Sequence, residues 1–327
     1  MAEPSAPAKP RGWLPFRSWW PLLAGAVVGL GLRLAFSGKP GVAAYEAMMA
    51  SFIYLCPLLV GVVTVYVAER IQRRSWAYYF WAPFLANLLF VAGTLFANIE
   101  GLICAVVIAP LFALLGGVAG LIMGAVCRVT KWPKQVLLSI GILPFALGAV
   151  EAELPLPVRI GIVERSVLVD AAPEEIWRQI LNAENIRPAE LDHAWIFRIG
   201  VPLPLAGVTR DTADGAVRRV TMGKNVYFDE MVTDSREPSF IRWVYRFHED
   251  SFPPYAFDEH VVIGGHYFDL VDTAYTLTPR GTQTELNVRM RYRVSTQFNW
   301  YADPVARILL GDMEEANLNF YRVRSEK

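Results

Sequence analysis

Apolar residues in the first half of this chain run in unbroken blocks, whereas in the second half they alternate with polar ones. A helix rises about 1.5 Å per residue, so about 20 apolar residues are needed to cross some 30 Å of hydrocarbon. Residues 19–36, 47–68, 75–97 and 101–127 supply four such blocks. Residues 136–150 form a fifth, shorter block whose length also fits a re-entrant or interfacial segment. The first block is interrupted only by Arg33 near its end, where a long side chain can snorkel. Trp13, Trp19, Trp20, Trp76, Trp81 and Trp132 fall near block ends, the depth that amphipathic rings prefer.

After the stiff Glu-Leu-Pro-Leu-Pro stretch at 153–157 the period changes. Residues 163–169 read as a strand. A helix follows from Pro173, which suits a first helical position, with Glu174 and Glu175 favouring its dipole. Strands are predicted over 216–222, 226–233 and 240–247, with a turn at Gly223-Lys224-Asn225. A second hairpin pairs 267–277 with 284–294 across Pro279-Arg280-Gly281. In its last strand Leu286, Val288, Met290, Tyr292 and Val294 alternate with Asn287, Arg289, Arg291 and Arg293, giving one buried and one wet face. Residues 302–323 close the chain as an amphipathic helix. The fold class is therefore a transmembrane bundle of four or five helices, followed by an α+β domain with an antiparallel sheet around a long C-terminal helix.

Composition supports the division. The chain has 327 residues, 54% of them hydrophobic, with 31 basic against 31 acidic side chains. The balance conceals an asymmetry. Residues 1–150 hold 11 Lys+Arg, 4 Glu and no Asp, a net of +7; residues 151–327 hold 20 basic and 27 acidic residues, a net of −7. The expected domains are a tail at 1–18, a transmembrane domain at 19–152, a linker at 153–161 and a ligand-binding domain at 162–327. Basic clusters at 9–17, 70–74 and 128–134 flank alternate ends of the blocks, which puts the N-terminus in the cytoplasm. Ala24–Leu32 runs into Arg33 without a small-x-small cleavage site, so the first block reads as an anchor rather than a cleaved signal. The spacings Gly25-x-x-x-Gly29 and Gly116-x-x-x-Gly120-x-x-x-Gly124 permit close helix contact, for which packing inside the bundle is the simplest use. Cys56, Cys104 and Cys127 have no metal or redox spacing.

The opening Val163-Glu-Arg-Ser-Val-Leu-Val-Asp-Ala-Ala-Pro-Glu-Glu-Ile-Trp177 resembles the strand, acidic–Ala–Pro and Trp start of the START-like (SRPBCC, polyketide cyclase/dehydrase and lipid-transport) superfamily. The hairpin Thr276-Leu-Thr-Pro-Arg-Gly-Thr-Gln-Thr-Glu-Leu286 and the last helix are similar to its closing elements. Gly264-Gly-His-Tyr-Phe-Asp-Leu-Val-Asp272 and Phe298-Asn-Trp-Tyr301 resemble a membrane-tethered bacterial branch of that superfamily. The resemblance covers about residues 162–325 and none of the apolar half. It implies a helix-grip fold with an apolar cavity between sheet and helix for a hydrophobic ligand. The superfamily's functions are diverse, so the resemblance alone leaves function open.

The expected cavity-lining residues are Trp243, Tyr245, Tyr267 and Tyr292, with Arg218 and Arg291 as polar partners for carboxylates. For any single ring, plain core packing is the competing account. Asp269, placed with Tyr267, Val271, Tyr275 and Leu277 on one face, is expected to point inward. Asp269, Glu230 and His266 are the candidate acid–base groups, each weighed against a structural ion pair or loop contact. His260-x5-His266-x2-Asp269 offers donors, yet such spacing is common by chance and no metal is expected. There is no phosphate loop, nucleophile elbow or nucleic-acid surface, and no cofactor is implied. The expected partners are a lipid or other hydrophobic small molecule and the bilayer. The alternatives are an enzyme acting on an apolar or aromatic substrate, and an envelope sensor or assembly factor.

The side on which the second half lies depends on residues 136–150. Five spans place it in the periplasm of a bacterial inner membrane; four leave it in the cytoplasm. The absence of basic residues between Glu151 and Arg159 favours the periplasm. Alkaline phosphatase fused at about residue 160 should therefore be active, and green fluorescent protein exported there unfolded should be dark. The reverse pair of signals would remove the fifth span.

Overall fold

A computed structural model describes residues 19–326 except 42–43, 131–133, 214, 255 and 259. Trp13, Trp132 and the basic residues at 9–17 and 131 lie outside the described residues. Five apolar helices come first: α1 (Trp20–Ala35), α2 (Ala50–Ile71), α3 (Trp76–Phe96), α4 (Leu102–Val129) and α5 (Lys134–Glu151). Three of them, α2, α3 and α4, are long and apolar enough to cross a membrane. Among the described residues this gives three such helices where four full spans were expected. With 16 residues, α1 is about 24 Å long, short of the hydrocarbon thickness.

The bundle packs through its small residues. A Cβ added to Gly116 would meet the Asn87 side chain, one on Gly120 the backbone of Tyr79, and one on Gly124 the Tyr79 ring. The glycine stripe of α4 thus lies against α3, and Gly25 of α1 faces Thr64 of α2 in the same way. Arg33 does not snorkel. It is buried, forms an ion pair with Glu100 and donates to the Phe36 carbonyl. Glu151, at the end of α5, accepts the N–H groups of Ala50 and Ser51, placing a carboxylate on the positive end of α2.

The second half is one antiparallel sheet of eight strands in the order β1-β8-β7-β6-β5-β4-β3-β2. The strands are β1 (Val158–Val169), β2 (Asn182–Ala183), β3 (Pro204–Thr212), β4 (Gly215–Met222), β5 (Tyr227–Arg236), β6 (Phe240–Arg246), β7 (Phe268–Arg280) and β8 (Gln283–Ser295). Helices α6 (Pro173–Leu181) and α7 (Trp195–Arg198) join β1, β2 and β3, and α8 (Asn299–Ser325) closes the chain. The turn after β4 places Lys224 and Asn225 at φ of 57° and 59°, a left-handed conformation that Asn tolerates. One main cluster joins Ile176, Trp177 and Ile180 of α6 to Ile241, Trp243, Tyr275, Leu286 and Val288 of the sheet and to Ala316 and Phe320 of α8. Arg324 ties down the end of α8 through Glu190 and the Glu184 carbonyl.

A register shift between Leu270 and Asp272 interrupts the β7–β8 ladder. One extra residue in a strand moves every following side chain to the other face. Leu270 therefore shares the inner face with Thr273 and Tyr275, and Asp269 lies on the outer face opposite Arg293. The expectation that Asp269 points inward is corrected by this bulge.

Glu314 of α8 is buried, and neither of its carboxylate oxygens has a hydrogen-bond partner among the described residues. Burial pushes its pKa up to about 8, against an opposing effect of Arg165. An unfolded glutamate titrates near 4.5, so the folded chain holds a proton that the unfolded chain has lost. Stability should fall as pH rises between those values. Glu314→Gln removes the penalty. Its thermal stability should match the parent near pH 4 and exceed it at pH 8 by on the order of 4 kcal/mol, read by melting the detergent-solubilised full chain.

Candidate functional site

The inner face of the sheet is not fully covered by α8, and the space left is a cavity of about 300 Å³. Strand alternation aims Val220, Phe228, Trp243, Tyr245, Leu270 and Met290 into it, and α8 contributes Leu309, Leu310 and Met313. The remaining wall comes from the helical half: Phe52 and Ile53 of α2, Phe90 and Val91 of α3, and Ile103, Val107 and Ile108 of α4.

This shared wall exists because the outer ends of α1–α4 dock on the sheet domain through polar contacts. Tyr267 donates to Glu46, whose other oxygen accepts the Gly41 N–H. The Gly101 N–H donates to Asp258 at 2.7 Å. Trp300 donates to the Tyr54 hydroxyl and Tyr301 to the Val107 carbonyl, each at 2.6 Å. The bonds of Tyr267, Gly101 and Tyr301 satisfy groups that the docking takes wholly or partly from water, while Trp300 stays exposed.

At the opposite end of the cavity, Arg218 of β4 faces Glu230 across the β4–β5 ladder, with Nη1 and Oε2 2.5 Å apart. Both side chains are buried. The guanidinium also donates to the Tyr321 hydroxyl and lies 5.5 Å from the centre of the Trp243 ring. Gly207 of β3 makes room for it, since a Cβ there would meet Nη2 at 2.2 Å. Burial alone would lower the pKa of Arg218, but Glu230 holds it above its ordinary value; burial raises the pKa of Glu230 against the pull of Arg218. Tyr245 donates to, or accepts from, Thr273 Oγ1 at 2.6 Å.

Of the ligand-binding candidates, Trp243, Tyr245, Tyr267 and Arg218 line the cavity. Tyr292 lies outside its wall: the ring is fully buried against β1 at Gly161 and its hydroxyl donates to Asp303 at 2.8 Å. Arg291 points to the outer face and pairs with Asp272. Of the acid–base candidates, only Glu230 reaches the cavity. His266 packs between Gly41 and the Tyr267 ring, and Asp269 is on the outer face, where burial raises its pKa against the pull of Arg293. His260, His266 and Asp269 do not converge. Instead, His260 meets Glu100 and Asp258, with donor atoms within 4.8 Å of one another. Sequence reasoning missed Arg33, Glu100 and Asp258 as site residues. For Arg33 and Glu100 the one available signal was the rarity of charge in the apolar half, where an ionisable residue is expected to have a partner; Asp258, in the charge-rich half, carried none.

No known family model matches this chain, and no curated protein does. Solved structures with a similar fold include a START superfamily protein from Mycobacterium smegmatis, 17% identical, at a TM-score of 0.33 over 50% of this chain and 97% of that one. The Zhui aromatase/cyclase from a Streptomyces species is 12% identical, at a TM-score of 0.33 over 51% and 94% of the two chains. The protein XoxI from Bacillus cereus is 11% identical, at 0.30 over 50% and 94%.

Removing one member of a buried ion pair strands the other. Arg218→Met should therefore cost about 3–5 kcal/mol of stability, and adding Glu230→Leu should recover most of it. Thermal melts of the two purified variants beside the parent measure both effects; a single variant as stable as the parent would show that the pair is not fully desolvated.

Proposed function

We propose that this protein binds a hydrophobic ligand, a lipid, in the cavity between its sheet and α8, and exchanges it with the membrane through the wall contributed by the helical bundle. The composition of that wall carries the reading. A cavity closed by Phe52, Phe90, Val91 and Ile108 draws one side from helices that are themselves long and apolar enough to lie in a bilayer. An apolar ligand could pass from the hydrocarbon to the sheet domain without crossing water, which a tether alone would not provide. At about 300 Å³ the space is at the small end of the range for ligand pockets and suits one chain or ring system.

The proposed setting is a bacterial inner membrane with the sheet domain in the periplasm. Supporting it, the docked ends of the helices carry residues 36–41, 44–49, 97–101 and 151, whereas Arg70, Arg73, Arg74 and Arg128 gather at the other ends. Binding is favoured over catalysis because two of the three acid–base candidates, Asp269 and His266, lie outside the cavity, and Glu230 is neutralised by Arg218.

Organic extraction of the purified full chain, followed by mass spectrometry, should recover about one lipid per protein. Filling the cavity from α8 with Ala306→Phe should lower that yield several-fold while the protein keeps its thermal transition. An unliganded parent, or a filled variant that still carries the full complement of lipid, would overturn the assignment.

A further inference from the structure

The seam between the helical bundle and the sheet domain contains a second constellation, independent of what the cavity holds. Glu100 lies between α3 and α4, and Asp258 and His260 lie in the connection between β6 and β7. Residues more than 150 positions apart in sequence thus present their donor atoms within 4.8 Å of one another.

The imidazole is the informative member. His260 is only 4% exposed, and its Nδ1 has no hydrogen-bond partner among the described residues. Its Nε2 stands 3.9 Å from Oε2 of Glu100, beyond hydrogen-bonding reach. A buried ring without hydrogen bonds on its nitrogens is costly, and a cation placed among these donors would take up the lone pair of one.

Both carboxylates are held by outer partners, as ligand carboxylates usually are. Arg33 engages Oε1 of Glu100 and leaves Oε2 turned towards His260. Asp258 accepts the Gly101 N–H on Oδ2 and the His260 N–H on Oδ1, at 2.7 and 3.0 Å. Cys104, in the first turn of α4, lines the same cavity as Glu100 and His260. One imidazole nitrogen with two carboxylates, the fourth position left to water, suits zinc and its neighbours. Magnesium and calcium prefer all-oxygen sites.

We propose that Glu100, Asp258 and His260 bind a divalent transition metal of the zinc class. Because the ligands come from both halves of the chain, the ion would clasp the sheet domain to the bundle at the rim of the cavity. Metal that binds only the docked arrangement stabilises it by mass action.

The test uses the detergent-solubilised full chain, stripped with chelator and titrated with Zn²⁺, Co²⁺ or Mg²⁺. The expected result is one Zn²⁺ per chain with micromolar or tighter affinity, and a melting temperature that rises with Zn²⁺ and not with Mg²⁺. Bound Co²⁺ should show the intense visible bands of a four- or five-coordinate site. His260→Gln and Glu100→Gln, each nearly matched in size, should weaken Zn²⁺ binding at least tenfold. Absence of saturable Zn²⁺ binding, or variants that bind as the parent does, would overturn the proposal. If neither variant folds, the Co²⁺ spectrum of the parent decides, and a weak six-coordinate spectrum counts against the site.

Discussion

The concave face of the eight-stranded sheet has to be covered, and α8 alone cannot cover it. A helix is about 10 Å across, whereas eight strands spaced some 4.8 Å apart present a face several times wider. Helices α6 and α7 close the part nearest β2, and α8 lies along β1 and β8. What remains is sealed by Phe52, Phe90 and Ile108 at the ends of the bundle. The bundle is therefore a structural part of the sheet domain's interior. The polar seam of Glu46, Tyr267, Asp258 and Gly101 follows from this, because every group taken from water by docking needs a partner there.

The two ends of the cavity then differ in kind. At the bundle end the lining is mostly aliphatic and aromatic, and its charged groups, Arg33 and Glu100, are paired with each other beside His260. At the far end the Arg218–Glu230 pair sits under Trp243 and Tyr321, with its charges matched to each other and no net charge offered to a ligand. A guest with a long apolar body and a modest polar tip fits that gradient better than an anion. The Tyr245 and Thr273 hydroxyls, bonded to each other, are polar groups of the wall that can turn towards such a tip without breaking an ion pair.

Much of this was legible in the sequence where composition or period carries the information. The apolar blocks became α1 to α5, and the alternation in 284–294 became β8 with its arginines outward. Asp269 was misplaced because the bulge after Leu270 changes the phase of β7, and no residue type marks it. Strand β3 was missed since Pro204 and Gly207 dilute its pattern; Gly207 is there to admit the Arg218 side chain, which only the folded sheet reveals. Tyr292 has the expected inward phase but lies at the β1 end, where Asp303 of α8 meets it before the cavity begins. Arg33 and Glu100 stood out as isolated charges, yet spacing could not show that they pair across 67 positions or that His260 comes to join them.

The position of the sheet domain follows from one short helix. Glu151 anchors the end of α5 to the first N–H groups of α2, so the chain leaves the bundle at the end where α2 begins. From there to Val158 only six residues intervene, and even fully extended they reach about 20 Å. With 18 residues, α5 is itself about 27 Å long, so the linker could not carry β1 back to the opposite end of the bundle. The docking of the cavity on Phe52, Phe90 and Ile108 is thus imposed by the direction of α5, not selected by the seam contacts. Those contacts refine a placement that the covalent chain has already made.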